Sequence, residues 1–303
     1  MADISRSEVA TLIQEAYADV LLNNAVEAST ALAAFPTVNM GTRLTHLPVL
    51  ATLPEAGWVS ESATAPEGVK PQSQVTWADR TLVAEEIAVI IPVHENVIDD
   101  ATVAVLTEIA SLGGQAIGRK LDQAVFFGVD KPASWVSDDL LSAAVAANQD
   151  VTVVDGDANS ADIIGAVNQA SEKLATAGYA PDTMVASLAM RYQVANLRDA
   201  NGLPIFRDES FAGFRTFFNR NGAWAPESAV ALVADSSRVR IGVRQDISVK
   251  LLDQATVGNI NLAERDMVAI RLKARYAYVL GTGATSVGDN KTPVGVVLPA
   301  AGS

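Results

Sequence analysis

Residues 75–93 read VTWADRTLVAEEIAVIIPV, and Val75, Trp77, Val83, Ile87, Val89, Ile91 and Val93 fall at the even spacing that a strand turns to one face. At about 3.3 Å per residue one strand of this length reaches on the order of 60 Å, several times the usual strand of about 5 or 6 residues. Residues 47–54 supply an outgoing partner, so the two segments predict a long two-stranded arm whose base is apolar on both faces. The tip between them, residues 55–74, carries Gly57, Pro66, Gly68 and Pro71 among Ser, Thr, Glu and Gln, with Trp58 its one large apolar residue. Such a tip cannot bury itself. A hairpin hanging free on a monomer is one reading. Unpaired edges of this length invite another chain, so contact with partner subunits explains the arm better.

The arm runs directly into a predicted helix. Asn96, Asp99 and Asp100 supply capping and first-turn acids, Arg119 and Lys120 sit toward the far end, and Gly128 is placed to stop it. Val103, Leu106, Ala110, Gly113, Ile117, Leu121 and Ala124 repeat at three and four, and Val105, Ile109, Leu112 and Ala116 form a second stripe, which predicts cover on more than one side. At about 1.5 Å per residue the helix spans roughly 40 Å and acts as a spine. Gly113 and Gly114 cost about 1 kcal/mol each in helix propensity, so they mark a bend or a close crossing by another element.

Before the arm, residues 4–34 show an amphipathic pattern, Val9, Leu12, Ile13, Ala16 and Val20, that ends at Phe35 and Pro36 and reads as a helical arm docking on a neighbour. After the spine, VDKPASW makes a turn. Asn159 or Ser160 then caps a helix whose Ile163, Ile164, Val167, Ala170 and Leu174 face a core and which Gly178 ends. A short buried strand and another helix follow in PDTMVASLAMRYQVANL. Residues 229–241 and 247–252 read as strands, and 267–280 as a long strand returning to pair near the spine. Helices and strands mix without a regular βαβ repeat, which indicates α+β.

Composition sets limits on function. The 303 residues are 49% hydrophobic but only 6% aromatic, so a large core must be filled by Ala, Val and Leu. No stretch approaches about 18 apolar residues and the first residues lack a secretion signal, which predicts no membrane anchor and a chain made and kept in a cytoplasm. The absence of cysteine excludes disulfides, thiolate metal sites and cysteine nucleophiles. The sequon at Asn290 is therefore read as accidental. A formal charge of −13 with no run of Lys or Arg argues against tight nucleic-acid binding, although a container's inner wall should repel such a polymer rather than trap it.

Chemical motifs fail one by one. Asp155, Asp157 and Asn159 imitate a calcium loop, but Ser160 stands where glycine belongs and Ala166 where the bidentate Glu belongs. His46 and His94 lack partners at zinc or triad spacing. The glycines of GTGATSVG miss the dinucleotide pattern, and Glu85 and Glu86, adjacent in a strand, point to opposite faces. No catalytic, cofactor or metal residue is assigned.

The order of a polar arm, a hairpin with WVSESATAPEGVKPQSQVTW at its tip, IPVHENVIDDA leading into the spine, and LRDANGLPIF resembles tailed-phage major capsid proteins of the Hong Kong 97 type, in particular those of phages infecting actinobacteria. The resemblance covers nearly the whole chain. It implies an N-arm over 1–44, an E-loop over 45–93, a spine-helix part of the P-domain over 94–136, an A-domain over 137–245, and the rest of the P-domain with a C-terminal tail over 246–303. It also implies hexamers and pentamers that form an icosahedral head around double-stranded DNA, assembled in the bacterial cytoplasm, with scaffolding, portal and decoration proteins as possible partners. Some members weld subunits by an isopeptide bond from an E-loop Lys to an Asn on a neighbouring strand, assisted by Glu. Here Lys70 is the candidate amine, but Asp266 stands at the Asn position and Lys273 at the Glu position. Without a buried base the amine stays protonated, so the shell is expected to be held noncovalently. Trp58, Lys70, Val75, Trp77 and Ile87 are the candidate inter-subunit contacts, the aromatics because they dominate desolvated interface cores; local hairpin packing is the alternative for each. An encapsulin-like nanocompartment shell around a cargo enzyme, and an enzyme of unknown type, are the competing functions.

Overall fold

The computed structural model describes residues 29–54, 56, 58, 72–99, 105–153, 161–196, 213–283 and 291–300. The chain enters through helix α1 (Thr30–Ala34) and strand β1 (Thr37–Asn39), then forms β2 (Leu44–Thr52) and β3 (Thr76–Val83), which pair antiparallel from Leu44↔Val83 to Thr52↔Thr76. The single strand expected over 75–93 is in fact two. It breaks at the buried Ala84, and β4 (Glu85–His94) leaves the arm to pair with the body. Period two survives the break because both strands keep the same parity, which is why sequence alone could not see it. The arm is correspondingly shorter than one continuous strand would make it, and residues 85–93 belong to the body sheet rather than to the projection.

Helix α2 (Glu95–Asp99) follows, and then α3 (Val105–Phe127), the spine, whose 23 residues span about 35 Å. Ala110, Gly113, Ile117, Leu121 and Ala124 are buried as their spacing requires, and Gly128 ends the helix with φ +66°. Gly113 is a close crossing: a Cβ built there would lie 2.9 Å from Leu272 Cδ1. Of the second stripe, Ile109 is half-buried and packs against the core, whereas Leu112 is 56% exposed and Ala116 is exposed. Val103 and residues 100–102 and 104 lie outside the described residues.

Beyond the turn at 129–135 come α4 (Leu140–Ala146), β5 (Asp150–Thr152), α5 (Ala161–Thr176), β6 (Thr183–Ser187), α6 (Leu188–Ala195), β7 (Arg215–Asn219) and β8 (Ala231–Ala234). Val167, Ala170 and Leu174 of α5 are buried as expected, and every residue of β6 is buried. The strand expected over 229–241 is interrupted by a 3₁₀ turn at Ser236–Arg238, where Asp235 accepts from Ser237 N–H. Its second half instead continues as β9 (Val239–Leu252), merging with the strand expected at 247. A small hairpin, β10 (Thr256–Val257) and β11 (Ile260–Asn261), leads to β12 (Met267–Leu280), at the bounds its sequence predicted, and β13 (Val294–Leu298) closes the described chain.

Two sheets result. The first has the order β1-β9-β12-β4 and lies against the spine; the second, β5-β13-β8-β6-β7, carries α4, α5 and α6. Strand β13 sits between β5 and β8, so the C-terminal segment joins the second sheet and not the sheet of β12. Likewise β9 runs through the expected boundary at 245 without a break. One continuous core joins both sheets through Ile117, Leu121, Phe126, Leu232, Ile241, Leu272 and Tyr278. Among the described residues no helix is long and apolar enough to cross a membrane.

Candidate assembly surface

The arm is rooted firmly and bare beyond its root. At the root, Leu82 and Ala84 pack with Met40, Ala277 and Val279, and Leu47 lies against them. Ala84 N–H donates to the Arg43 carbonyl at 2.8 Å, the Trp135 indole N–H donates to the Val83 carbonyl at 2.9 Å, and Trp135 stacks at a tilt on Tyr278. Arg80 Nη2 donates to Thr282 Oγ1 at 2.7 Å. Strand β2 passes so near Gly283 that a Cβ there would lie 3.0 Å from Val49 Cγ1. A cleft of about 1050 Å³ opens between Leu50, Ala78 and Arg80 on the arm and Val136, Ala143 and Ala147 on the body.

Arg43 Nη2 meets Glu85 Oε1 at 2.8 Å across the break. That hydrogen bond, against a smaller opposing effect of burial, holds the Glu85 carboxyl below the ordinary 4.5. A depressed carboxylate contributes stability above its unfolded value and loses it as pH falls through the lowered one, so this contact should weaken only in acid below 4.5. In Arg43→Ala, the Glu85 carboxyl carbon should titrate by NMR closer to 4.5, and an unmoved midpoint would show that Arg43 is not the cause.

Farther out the cover ends. Val75 is 44% exposed, Trp77, opposite Leu50, is 66% exposed, and Trp58 is 100% exposed. Trp77 is therefore not satisfied by its cross-strand neighbour, as local hairpin packing would require. Ile87 differs from these three: it is half-buried on β4 against the chain's own core. Residues 55, 57 and 59–71 of the tip, Lys70 among them, residues 197–206, the N-terminal residues 1–28, and Asp155, Asp157, Asn159 and Ser160 lie outside the described residues.

Asp266 has φ +50°, an exposed side chain, and a carbonyl that accepts from Glu95 N–H at 3.0 Å. Lys273 Nζ bonds Glu86 Oε2 at 2.7 Å, so this amine is engaged by its own chain. Glu85 and Glu86 thus take separate partners, as their opposite faces predict. His46 Nδ1 lies 2.5 Å from Asp79 Oδ2 on the arm, and His94 is exposed at the end of β4. Among the described residues no three His, Cys, Asp or Glu side chains converge as a metal site.

Sequence reasoning missed Asp122. It is fully buried in the last turns of the spine, and its hydrogen-bond donors among the described residues are uncharged. Oδ1 accepts from Ser29 Oγ at 2.7 Å and Ala31 N–H at 3.0 Å, and Oδ2 from Thr30 N–H at 2.9 Å, Asn219 Nδ2 at 3.1 Å and Asn221 Nδ2 at 2.7 Å. One carboxylate thereby joins the root of the N-terminal segment, the spine and the end of β7. Burial pushes its pKa up, and the donors from residues 29–31 and Asn221 pull it back. The available signal was an acidic residue near a helix C-terminus, where the macrodipole disfavours it, directly before the apolar run AVFF.

The model of the family described as Phage capsid family matches residues 10–281. No curated protein matches the chain. Among solved structures, one from Mycobacterium phage Cain is 71% identical with a TM-score of 0.84 and full coverage of both chains. One from Mycobacterium phage Bobi is 76% identical with a TM-score of 0.82, covering 98% of this chain and 99% of the other. A capsid of an empty GTA particle shares the fold alone, at 17% identity and a TM-score of 0.63 over 90% of each chain. These relatives favour a phage shell over a nanocompartment. Together with the α+β fold of the Hong Kong 97 type, they place this chain in the phage capsid family, as a major capsid protein and a component of the virion shell.

Proposed function

We propose that copies of this chain form hexamers and pentamers in which each arm lies across an adjacent subunit, and that the closed icosahedral head encloses double-stranded DNA without reading its sequence. The observation that carries this is the arm's outer half, whose Val75, Trp77 and Trp58 are left open by the parent chain. These three are the arm's anchors, and Ile87 supports them from the body sheet. Leu112 and Ala116 on the spine offer a second uncovered apolar strip for a neighbour.

The shell is held noncovalently. Lys273 is engaged with Glu86, Asp266 replaces the amide that a weld would need, and Lys70 serves as an ion-pair partner. Many modest interfaces therefore share the load, and the protein works by binding rather than catalysis. The functional division follows the family's: N-arm over 1–44, E-loop from 45 with its root at Ala84, spine part of the P-domain to 136, A-domain to 245 joined by the C-terminal strand, and the β9–β12 part of the P-domain. Assembly takes place in the bacterial host cytoplasm. Negative-stain microscopy of the expressed protein tests this. Closed shells with six-fold and five-fold capsomers are expected, and a small soluble oligomer at high concentration would contradict it.

A further inference from the structure

The inner face of the arm and the end of the first sheet close on a second, smaller cavity. Leu47 and Arg80 are cross-strand partners in the arm ladder, and Arg240 and Val279 are partners in the ladder of β9 with β12. Leu47, Val279 and the buried Leu82 pack together, so the two ladders face one another at the arm's root. The cavity between them, of about 220 Å³, is lined by Arg80, Arg238 and Arg240 and walled by Leu47, Val49 and Val279. Among the described residues no carboxylate lines it.

Three guanidiniums lining one small cavity repel one another, and their neighbours engage them only in part. Arg80 Nη2 donates to Thr282 Oγ1 at 2.7 Å, and Arg240 Nη1 donates to the Ser236 and Val239 carbonyls at 3.2 Å each. Arg80 Nε, however, is buried with no acceptor, and among the described residues none of the three arginines forms an ion pair. Asp235, the acid nearest along the chain, is taken up by the N–H and hydroxyl of Ser237. A buried donor left unmet costs its full desolvation, which an incoming acceptor would recover. Arg238 reaches the arm over a glycine. Its Nη1 lies 3.1 Å from the place a Cβ on Gly283 would take, and Val49 Cγ1 lies 3.0 Å from the same point.

A guanidinium fork matches the oxygens of a carboxylate or a phosphate. Three forks from three elements, β3, the 3₁₀ turn and β9, suit a tetrahedral oxyanion better than a planar carboxylate. The volume falls below the roughly 300–1,000 Å³ of pockets for larger ligands, which limits the occupant to a small anion. We propose that the cavity between Arg80 of the arm and Arg238 and Arg240 of the body binds a free, phosphate-sized oxyanion, which ties the root of the arm to the first sheet. The site lies within one chain and stands apart from the assembly reading above.

Calorimetric titration of the expressed chain with inorganic phosphate at constant ionic strength tests it. One saturable site per chain is expected, with acetate about tenfold weaker or more, and Arg238→Gln should weaken phosphate by about tenfold or more. Bound phosphate should also slow amide hydrogen exchange in residues 47–50 and 78–82, because the anion bridges arm and body. Absence of saturable binding overturns the proposal, as does equal binding of acetate, undiminished affinity in Arg238→Gln, or unchanged exchange in those two segments. A short DNA duplex that binds through Arg238 while inorganic phosphate does not would give the cluster to nucleic acid and overturn it as well. Should Arg238→Gln fail to fold, Arg80→Lys, which keeps the charge and loses the fork, replaces it with the same loss expected.

Discussion

Deletion of residues 57–72 will yield subunits that fold and fail to build shells. Among the described residues the root of the arm closes on Met40, Leu82, Ala84, Ala277 and Val279, and the ladder runs from Leu44↔Val83 to Thr52↔Thr76, so the body holds its own root and ladder. Shortening the connection roughly threefold lowers its closure entropy by only about 1 kcal/mol, in the stabilising direction. Urea midpoints of unassembled subunits should therefore be unchanged or slightly raised. Sedimentation should shift from shells in the megadalton range to capsomers or single subunits. A variant that assembles as well as the parent would refute the arm's role.

Asp122→Ala is expected to have the largest effect on stability. Five donors converge on that carboxylate, and the pocket is fully buried. Leaving buried donors unmet costs about 1–3 kcal/mol each before water refills part of the gap, so a net loss on the order of 4 kcal/mol is expected in denaturant unfolding. Asp122→Asn keeps the volume but points an N–H₂ group at two or three donors whichever way it turns, and should also destabilise, by about 2 kcal/mol. Wild-type stability for the Asn variant would show that the carboxylate does not act as a common acceptor for the three segments.

Much of this fold is legible in residue spacing. The spine's buried stripe, the strand at Met267–Leu280 and the buried strand–helix pair after residue 182 follow directly from periods of 3.6 and 2. What spacing cannot reveal is where a strand changes partner. The break at Ala84 preserves alternation while the hydrogen-bonding partner switches from β2 to β12, and the cause is tertiary: Trp135, Arg43 and Leu82 meet there from distant parts of the chain. The placement of β13 between β5 and β8 is equally nonlocal, because an apolar run such as VGVVL specifies burial but not a sheet. At the candidate surface, Trp58 and Trp77 stood out as aromatics in polar or alternating surroundings. Asp122 did not, because its five donors come from segments about ninety residues to either side along the chain.

The central claim is that the arm's open side is covered by other copies of the same chain. Oxidative footprinting of Trp58 and Trp77, compared between intact shells and dissociated subunits and resolved by mass spectrometry, measures this directly. Trp77, 66% exposed in the single chain, should be oxidised about tenfold more slowly in shells. Equal rates for both tryptophans in the two states would contradict it.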